Sequence, residues 1–262
     1  MIGCGVRLIL VQPQLSVAPD HDNTAALEAC LAGSHIEPQG DDVLVLPEHF
    51  HLGSDRSRYE AQVSALARRL GCALIGGSQH EQRGAVKVHR GVAAEAGGAI
   101  VGSYEKLRPY AAERSVVEPG EVLGELSLAG HRVLVMICAD FWFSDLLGRA
   151  TRQPDLVLVP ALSVSRKATP DYSRAMWRHL SVTRAYELGA YVGVSDWGHP
   201  SKLPLLASSG VAGFADPTMV DPELLFRPVA NGGARAFELD FAALEAFRAD
   251  RRARGFFWMR EG

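Results

Sequence analysis

The chain has 262 residues, 47% of them apolar and 22% charged, the composition of an ordinary globular protein with enough material for a sizeable core. Its formal net charge of -3 gives no electrostatic reason to expect nucleic acid or an anionic membrane as partner, and leaves small-molecule substrates open. No run reaches the roughly 18 apolar residues of a membrane span, and the start "MIGCGVRLILVQPQ" lacks the basic region and cleavage site of a secretory signal, so a cytoplasmic location is expected.

In chain order, "GVRLILVQ" (5–12) reads as a strand, followed by a helix over 23–32 that Asn23 or Thr24 can cap and Gly33 can end. "DDVLVLPE" is a continuous apolar strand that stops at a proline, and the next helix, 57–70, ends at Gly71. Three further strands are predicted at 72–77, 84–93 and 98–105, the last two joined by a Gly-rich turn. From residue 131 the order recurs: the strand "HRVLVMIC", a helix over 143–152, the strand "PDLVLVPA", a helix over 171–188, the strand "AYVGVS", and strands at 209–215 and 234–239.

"DDVLVLPE" and "PDLVLVPA" match most closely, so the chain reads as a duplicated α/β unit with lobes of about 1–125 and 126–240 in one domain spanning 1–262. Two sheets, each with helices on one side only, can bury their bare faces against each other, which predicts a four-layer αββα sandwich of two pseudo-symmetric halves. The segment 241–262, a helix followed by "GFFWM", is too hydrophobic for a free tail and is expected to dock on the body or on a second subunit.

The four cysteines, Cys4, Cys30, Cys72 and Cys138, lie far apart without a CxxC pair, which argues against a disulfide framework or a zinc ribbon. Position separates one of them from the rest. In α/β sheets the residues just past the carboxyl ends of strands line the ligand crevice. Here "VLVL" runs into Glu48, "AIVGSYE" into Lys106 and "VLVMI" into Cys138, so a carboxylate, an amine and a thiol come from three separate strand ends.

A free thiol is only a few per cent thiolate at neutral pH, so it needs a base or a nearby cation to become a strong nucleophile. Glu48 can be that base and Lys106 that cation. The ammonium, or a backbone N–H just after Cys138, can also hold the oxyanion of a tetrahedral intermediate. The trio therefore reads as machinery for acyl transfer through a thioester.

At these residues the sequence resembles the nitrilase superfamily of carbon-nitrogen hydrolases, on its amidase-like side. "LVLPEHF" is similar to the family's glutamate segment, "GSYEKLRPY" to its Tyr-x-Lys segment and "VLVMICADFWF" to its Ile-Cys-x-Asp segment, with further agreement in "DLVLVPA" and "TRAYELGAYV". The resemblance implies a Glu48, Lys106, Cys138 triad, no cofactor and no metal, a homodimer, and a second glutamate near the leaving group, for which Glu113 is the first candidate and Glu118 the other. Ala139, Asp140 and Trp142, directly after the cysteine, are candidate substrate contacts, although a structural ion pair or cap is an equal reading of Asp140. Asp196 stands where the family shows asparagine, and Gly210 to Ala212 where it shows Gly-x-Ser, so the pocket departs from the usual pattern.

The expected activity is hydrolysis of a non-peptide C–N bond in a small linear amide or N-carbamoyl compound. Three other readings are nitrile hydrolysis on the same site, an idle binding or regulatory protein of the same fold, and a metal-dependent amidohydrolase using the H-x-H pair His49 and His51. The last needs further ligands at later strand ends; His131, His179 and His199 do not supply them by position.

Overall fold

A computed structural model of the chain describes residues 5–18, 21–165, 167–201 and 207–256. Cys4 and most of the apolar ending "GFFWM" lie outside the described residues. The first half runs β1 (Arg7–Val11), α1 (Thr24–Gly33), β2 (Val43–Val45), α2 (Arg56–Leu70), β3 (Ala73–Ile75), β4 (Gln79–Arg83), β5 (Val86–Ala94) and β6 (Ile100–Glu105). Then come β7 (Gly124–Leu128), β8 (His131–Val135), α3 (Ser144–Leu147), β9 (Leu156–Pro160), α4 (Asp171–Leu188) and β10 (Tyr191–Ser195). The chain closes with β11 (Gly213–Ala215), β12 (Phe226–Pro228), β13 (Ala234–Glu238) and α5 (Phe241–Ala253).

The strands form two mixed sheets, one of seven with the order β13-β1-β2-β3-β5-β4 and β6 on β5, and one of six with the order β12-β11-β10-β9-β8-β7. β1, β2 and β3 are mutually parallel, as are β8, β9 and β10, so the duplicated unit is present in the pairing itself. Because strand side chains alternate, each continuous apolar strand feeds two cores. Leu8, Leu10, Val43 and Val45 of the first sheet meet Val133, Val135, Leu156 and Leu158 of the second in one buried cluster. The alternate residues Ile9, Val11 and Leu44 pack on Leu27, Leu31, Tyr59 and Val63 of α1 and α2, and Leu134, Val157 and Val192 pack on Trp177, Ala185 and Leu188 of α4. The architecture is the αββα sandwich.

Several elements depart from the sequence reading. The strand expected at 84–93 is the second arm of a hairpin whose first arm, β4, reads "QHEQR" and has no apolar residue to reveal it; Gly84, at φ +61°, makes the turn. The helix expected over 143–152 stops at Leu147, before Gly148. β7 and β12 are short strands that the sequence reading does not single out, and β7 already belongs to the second sheet. The strand at 234–238, assigned to the second lobe, pairs antiparallel with β1 in the first sheet. The halves thus exchange an edge: β13 flanks β1, as β7 flanks β8. Asn23 makes no side-chain cap on α1 and instead ties Ser16 to the Phe50 carbonyl.

α5 docks on the body. Buried Arg248 reaches the Gly189 carbonyl at 2.7 Å, the Pro154 carbonyl at 2.6 Å and Asp155 at 2.8 Å, while Leu244 joins the inter-sheet core. No helix among the described residues is long and apolar enough to cross a membrane.

Candidate active site

Glu48 sits three residues beyond β2. The parallel ladder extends to Leu46, whose N–H donates to the Ile75 carbonyl, and stops at Pro47, which has no N–H to continue it. Gly77 packs so closely here that a Cβ on it would lie 2.3 Å from the Pro47 carbonyl oxygen. The buried indole of Trp197 donates to the Glu48 carbonyl at 2.6 Å, and the Leu162 N–H donates to Glu48 Oε2 at 2.9 Å. Lys106 follows β6 and is fixed by its N–H to the His89 carbonyl and its own carbonyl to the Gly120 N–H, both at 2.8 Å.

Cys138 opens a 3-10 segment, Cys138–Trp142, just past β8, with φ at +45°. That left-handed conformation is rare for a residue with a Cβ, and such strain concentrates at functional sites. Its thiol donates to the Leu162 carbonyl at 3.7 Å. One peptide neighbourhood, at Leu162 just past β9, therefore holds both the Glu48 carboxylate and the Cys138 sulfur, so the ends of β2, β8 and β9 converge.

Lys106 Nζ bridges two carboxylates, Glu48 Oε1 at 2.7 Å and Glu113 Oε2 at 2.6 Å. Burial works against the ammonium, but Glu48, Cys138 and Glu113 outweigh it and hold its pKa above the usual lysine range. Glu113 comes from the 3-10 turn Ala111–Ser115. Burial opposes its ionisation, yet His80, His89 and Lys106 hold its carboxyl far below the usual carboxylate range. Glu118 is exposed and its backbone bridges to Val88, so Glu113 is the glutamate beside the lysine. Burial pushes the Cys138 thiol well above its ordinary range; the Glu48 charge adds to this and Lys106 opposes it.

The residues after the cysteine divide. Asp140 is buried and accepts the N–H of Leu107 and of Arg108, each at 2.8 Å, so its carboxylate is spent on the chain that carries Lys106. Burial pushes its pKa up to about 6 against those two bonds. Ala139 is buried in the first turn of the 3-10 segment, and Trp142 is exposed, edge-on to Trp177. Asp196 is fully buried and accepts the N–H of Ser163 at 2.9 Å and of Val211 at 2.8 Å, with a short bond from the Ser163 hydroxyl, which locks together the segments after β9 and β10. Burial raises its pKa to about 6.

The H-x-H pair separates. His49, at φ +55°, turns toward His80 and His89, whereas His51 packs edge-on to Phe50 and Tyr59 and is pushed down to about 4 by burial. The two rings share no centre, so the metal-dependent reading built on His49 and His51 is overturned. Sequence reasoning missed His80 and His89. They lie directly opposite each other on β4 and β5, and both hydrogen-bond Glu113 Oε1, at 3.2 and 2.5 Å.

A comparison with curated proteins returned no match. Among solved structures, the chain is similar to Nit3 of Saccharomyces cerevisiae, a member of branch 10 of the nitrilase superfamily (TM-score 0.74, 19% identity, 94% of this chain and 93% of that one). It is similar to a double mutant of the amidase from Nesterenkonia sp. AN1 in complex with acrylamide (TM-score 0.71, 21% identity, 97% and 98%). It also resembles a carbon-nitrogen hydrolase from Helicobacter pylori G27 (TM-score 0.76, 16% identity, 98% and 95%). These likenesses carry the fold. The family model for carbon-nitrogen hydrolases matches residues 10–224, a span that holds all three strand ends described above, and the chain belongs to that family.

Proposed function

We propose that the protein is a thiol hydrolase that cleaves the C–N bond of a small linear amide or N-carbamoyl compound through a thioester on Cys138. The observation that carries this reading is the bridging of Glu48 and Glu113 by Lys106, with Cys138 and Glu48 both held at Leu162. In the resting site the thiol is protonated, so its proton passes to Glu48 as sulfur attacks the carbonyl carbon. Lys106 and the Ala139 N–H stabilise the oxyanion, which gathers charge only as the tetrahedral intermediate forms. The amine or ammonia departs with a proton returned by Glu48, and Glu48 then activates water against the thioester. Glu113 keeps Lys106 charged and aimed.

The amidase solved with acrylamide has the same fold and represents the class of small amide proposed here. The test is ammonia release from short amides, N-carbamoyl amino acids and nitriles, by the wild type and by Cys138→Ala. Turnover of an amide or carbamoyl compound that vanishes in the folded variant supports the proposal. Equal turnover by both, or none by the wild type, overturns it.

A further inference from the structure

We propose that His49, His80, His89 and Glu113 form a binding site for a divalent transition-metal ion of the Zn2+ class, set against the far side of the Lys106 ion pair. One ligand atom from each of the four residues lies within 4.8 Å of every other. Three imidazoles and a carboxylate oxygen are a donor set suited to such an ion.

The two strand histidines are register partners, His80 opposite His89, so the hairpin itself presents both rings on one face. His80 Nε2 lies 3.2 Å from Glu113 Oε1, close to the spacing of about 3.4 Å between ligands of a tetrahedral zinc ion. His89 Nδ1, at 2.5 Å from the same oxygen, opens by about 1 Å to reach that spacing.

Two features go beyond proximity. The far nitrogen of His89, Nε2, is 2.7 Å from Ser78 Oγ; in the Nε2–H tautomer it donates there and turns the Nδ1 lone pair to the centre, which is the orienting contact that metal-ligating histidines usually make. His49 is held in a left-handed backbone conformation, its ring stacked on His89 with centroids 4.4 Å apart and edge-on to His80 at 4.7 Å. The only His49 hydrogen bond among the described residues is made by its backbone N–H, to Ser78 Oγ at 3.3 Å, so its ring nitrogens are free to bind. Glu113 would bridge, with Oε1 on the ion and Oε2 still on Lys106 at 2.6 Å.

This site shares Glu113 with the Lys106 ion pair, and the test separates ion binding from the thioester chemistry by using Cys138→Ala protein, which also removes the thiol as a competing ligand. After chelator treatment, that protein is titrated with Zn2+ by calorimetry and with Co2+ by visible absorption. The expected result is one ion per chain, with the intense d–d bands of four-coordinate cobalt. His80→Ala in the same background, its fold checked by thermal melting, is expected to bind at least about tenfold more weakly, and Ser78→Ala to weaken binding by a smaller factor. Failure to bind either ion, binding by His80→Ala as tight as by the parent, or uptake only when Cys138 is present would overturn the proposal.

Discussion

Asp140 accepts the backbone N–H of Leu107 at 2.8 Å, which fastens the segment carrying the cysteine to the segment carrying the lysine. A second bond, from the Arg108 N–H at 2.8 Å, completes a two-pronged grip on the residues that follow Lys106. The carboxylate lies two residues after Cys138 in sequence, yet it acts on the position of Lys106.

Removing that grip leaves the Leu107 N–H unsatisfied in a buried place and the Arg108 N–H in a part-buried one, at a cost on the order of 1–3 kcal/mol for the first and less for the second. Asp140→Ala is therefore expected to lower stability by several kcal/mol and to reduce activity further, because Lys106 loses its register. Asp140→Asn keeps one acceptor but sets an amide NH2 against the other N–H, and should fall between the wild type and the alanine variant. Urea denaturation and kcat measured together check this; an active, fully stable Asp140→Ala would show that the grip is dispensable.

The pH dependence of thiol reactivity separates a resting thiol from a preformed thiolate. Burial first and the Glu48 charge second raise the Cys138 pKa well above its ordinary value, so the protonated form dominates the free enzyme at neutral pH. Alkylation of Cys138 by iodoacetamide should be slow at pH 7 and still climbing at pH 9. A plateau reached by pH 7 would mean that the thiolate already exists and that Glu48 is not needed to generate it.

Asp155 provides a stability test remote from the site. Burial disfavours its charge, but bonds from Arg132 and Arg248 outweigh burial and lower its pKa from 3.8 to about 2. The sign follows: a carboxylate with a depressed folded-state pKa adds stability that is fully present above pH 3.8 and is lost as pH falls through about 2. The depression corresponds to about 2 kcal/mol. Asp155→Asn should lose about that much at pH 7, the buried Arg248 guanidinium keeping Glu245 and the Gly189 and Pro154 carbonyls as partners, and the deficit should shrink by about 2 kcal/mol between pH 4 and pH 2 in urea titrations.

What could be read from the sequence depended on how each feature is encoded. Glu48 and Cys138 follow strands with a strong apolar signature and Lys106 follows the more mixed "IVGSYE", and strand ends in such sheets are where polar residues converge. The His80 and His89 pair is encoded differently. β4 is polar throughout, so the hairpin is signalled only by Gly84 and by the symmetry of positions about that turn, Arg83 opposite Val86 and His80 opposite His89. The grips on Glu48 and Cys138 at Leu162 are made by a peptide N–H and a carbonyl, which any residue type other than proline would supply, so no sequence pattern records them. The placement of β13 on the first sheet was hidden for a third reason. A short amphipathic strand specifies its burial but not which of two similar sheet edges it joins.

The last prediction separates Glu48 from Lys106 by role. Glu48 Oε1 accepts from Lys106 while Oε2 accepts from the Leu162 N–H, so Glu48→Gln puts a neutral side chain of the same shape there, tethered through one of these contacts with its NH2 facing the other donor. It cannot take a proton from the thiol or from water. Acylation should slow, and any thioester that does form should persist for want of an activated water. Lys106→Met removes the cation from between two carboxylates, and Glu48 and Glu113 are then left facing each other without neutralisation. That variant should lose both oxyanion stabilisation and local stability, and should form little adduct. Intact-protein mass spectrometry after incubation with a turned-over amide distinguishes the two. A mass increase on Glu48→Gln that is absent on Lys106→Met fits the assigned roles, whereas an adduct on Lys106→Met and none on Glu48→Gln would exchange them.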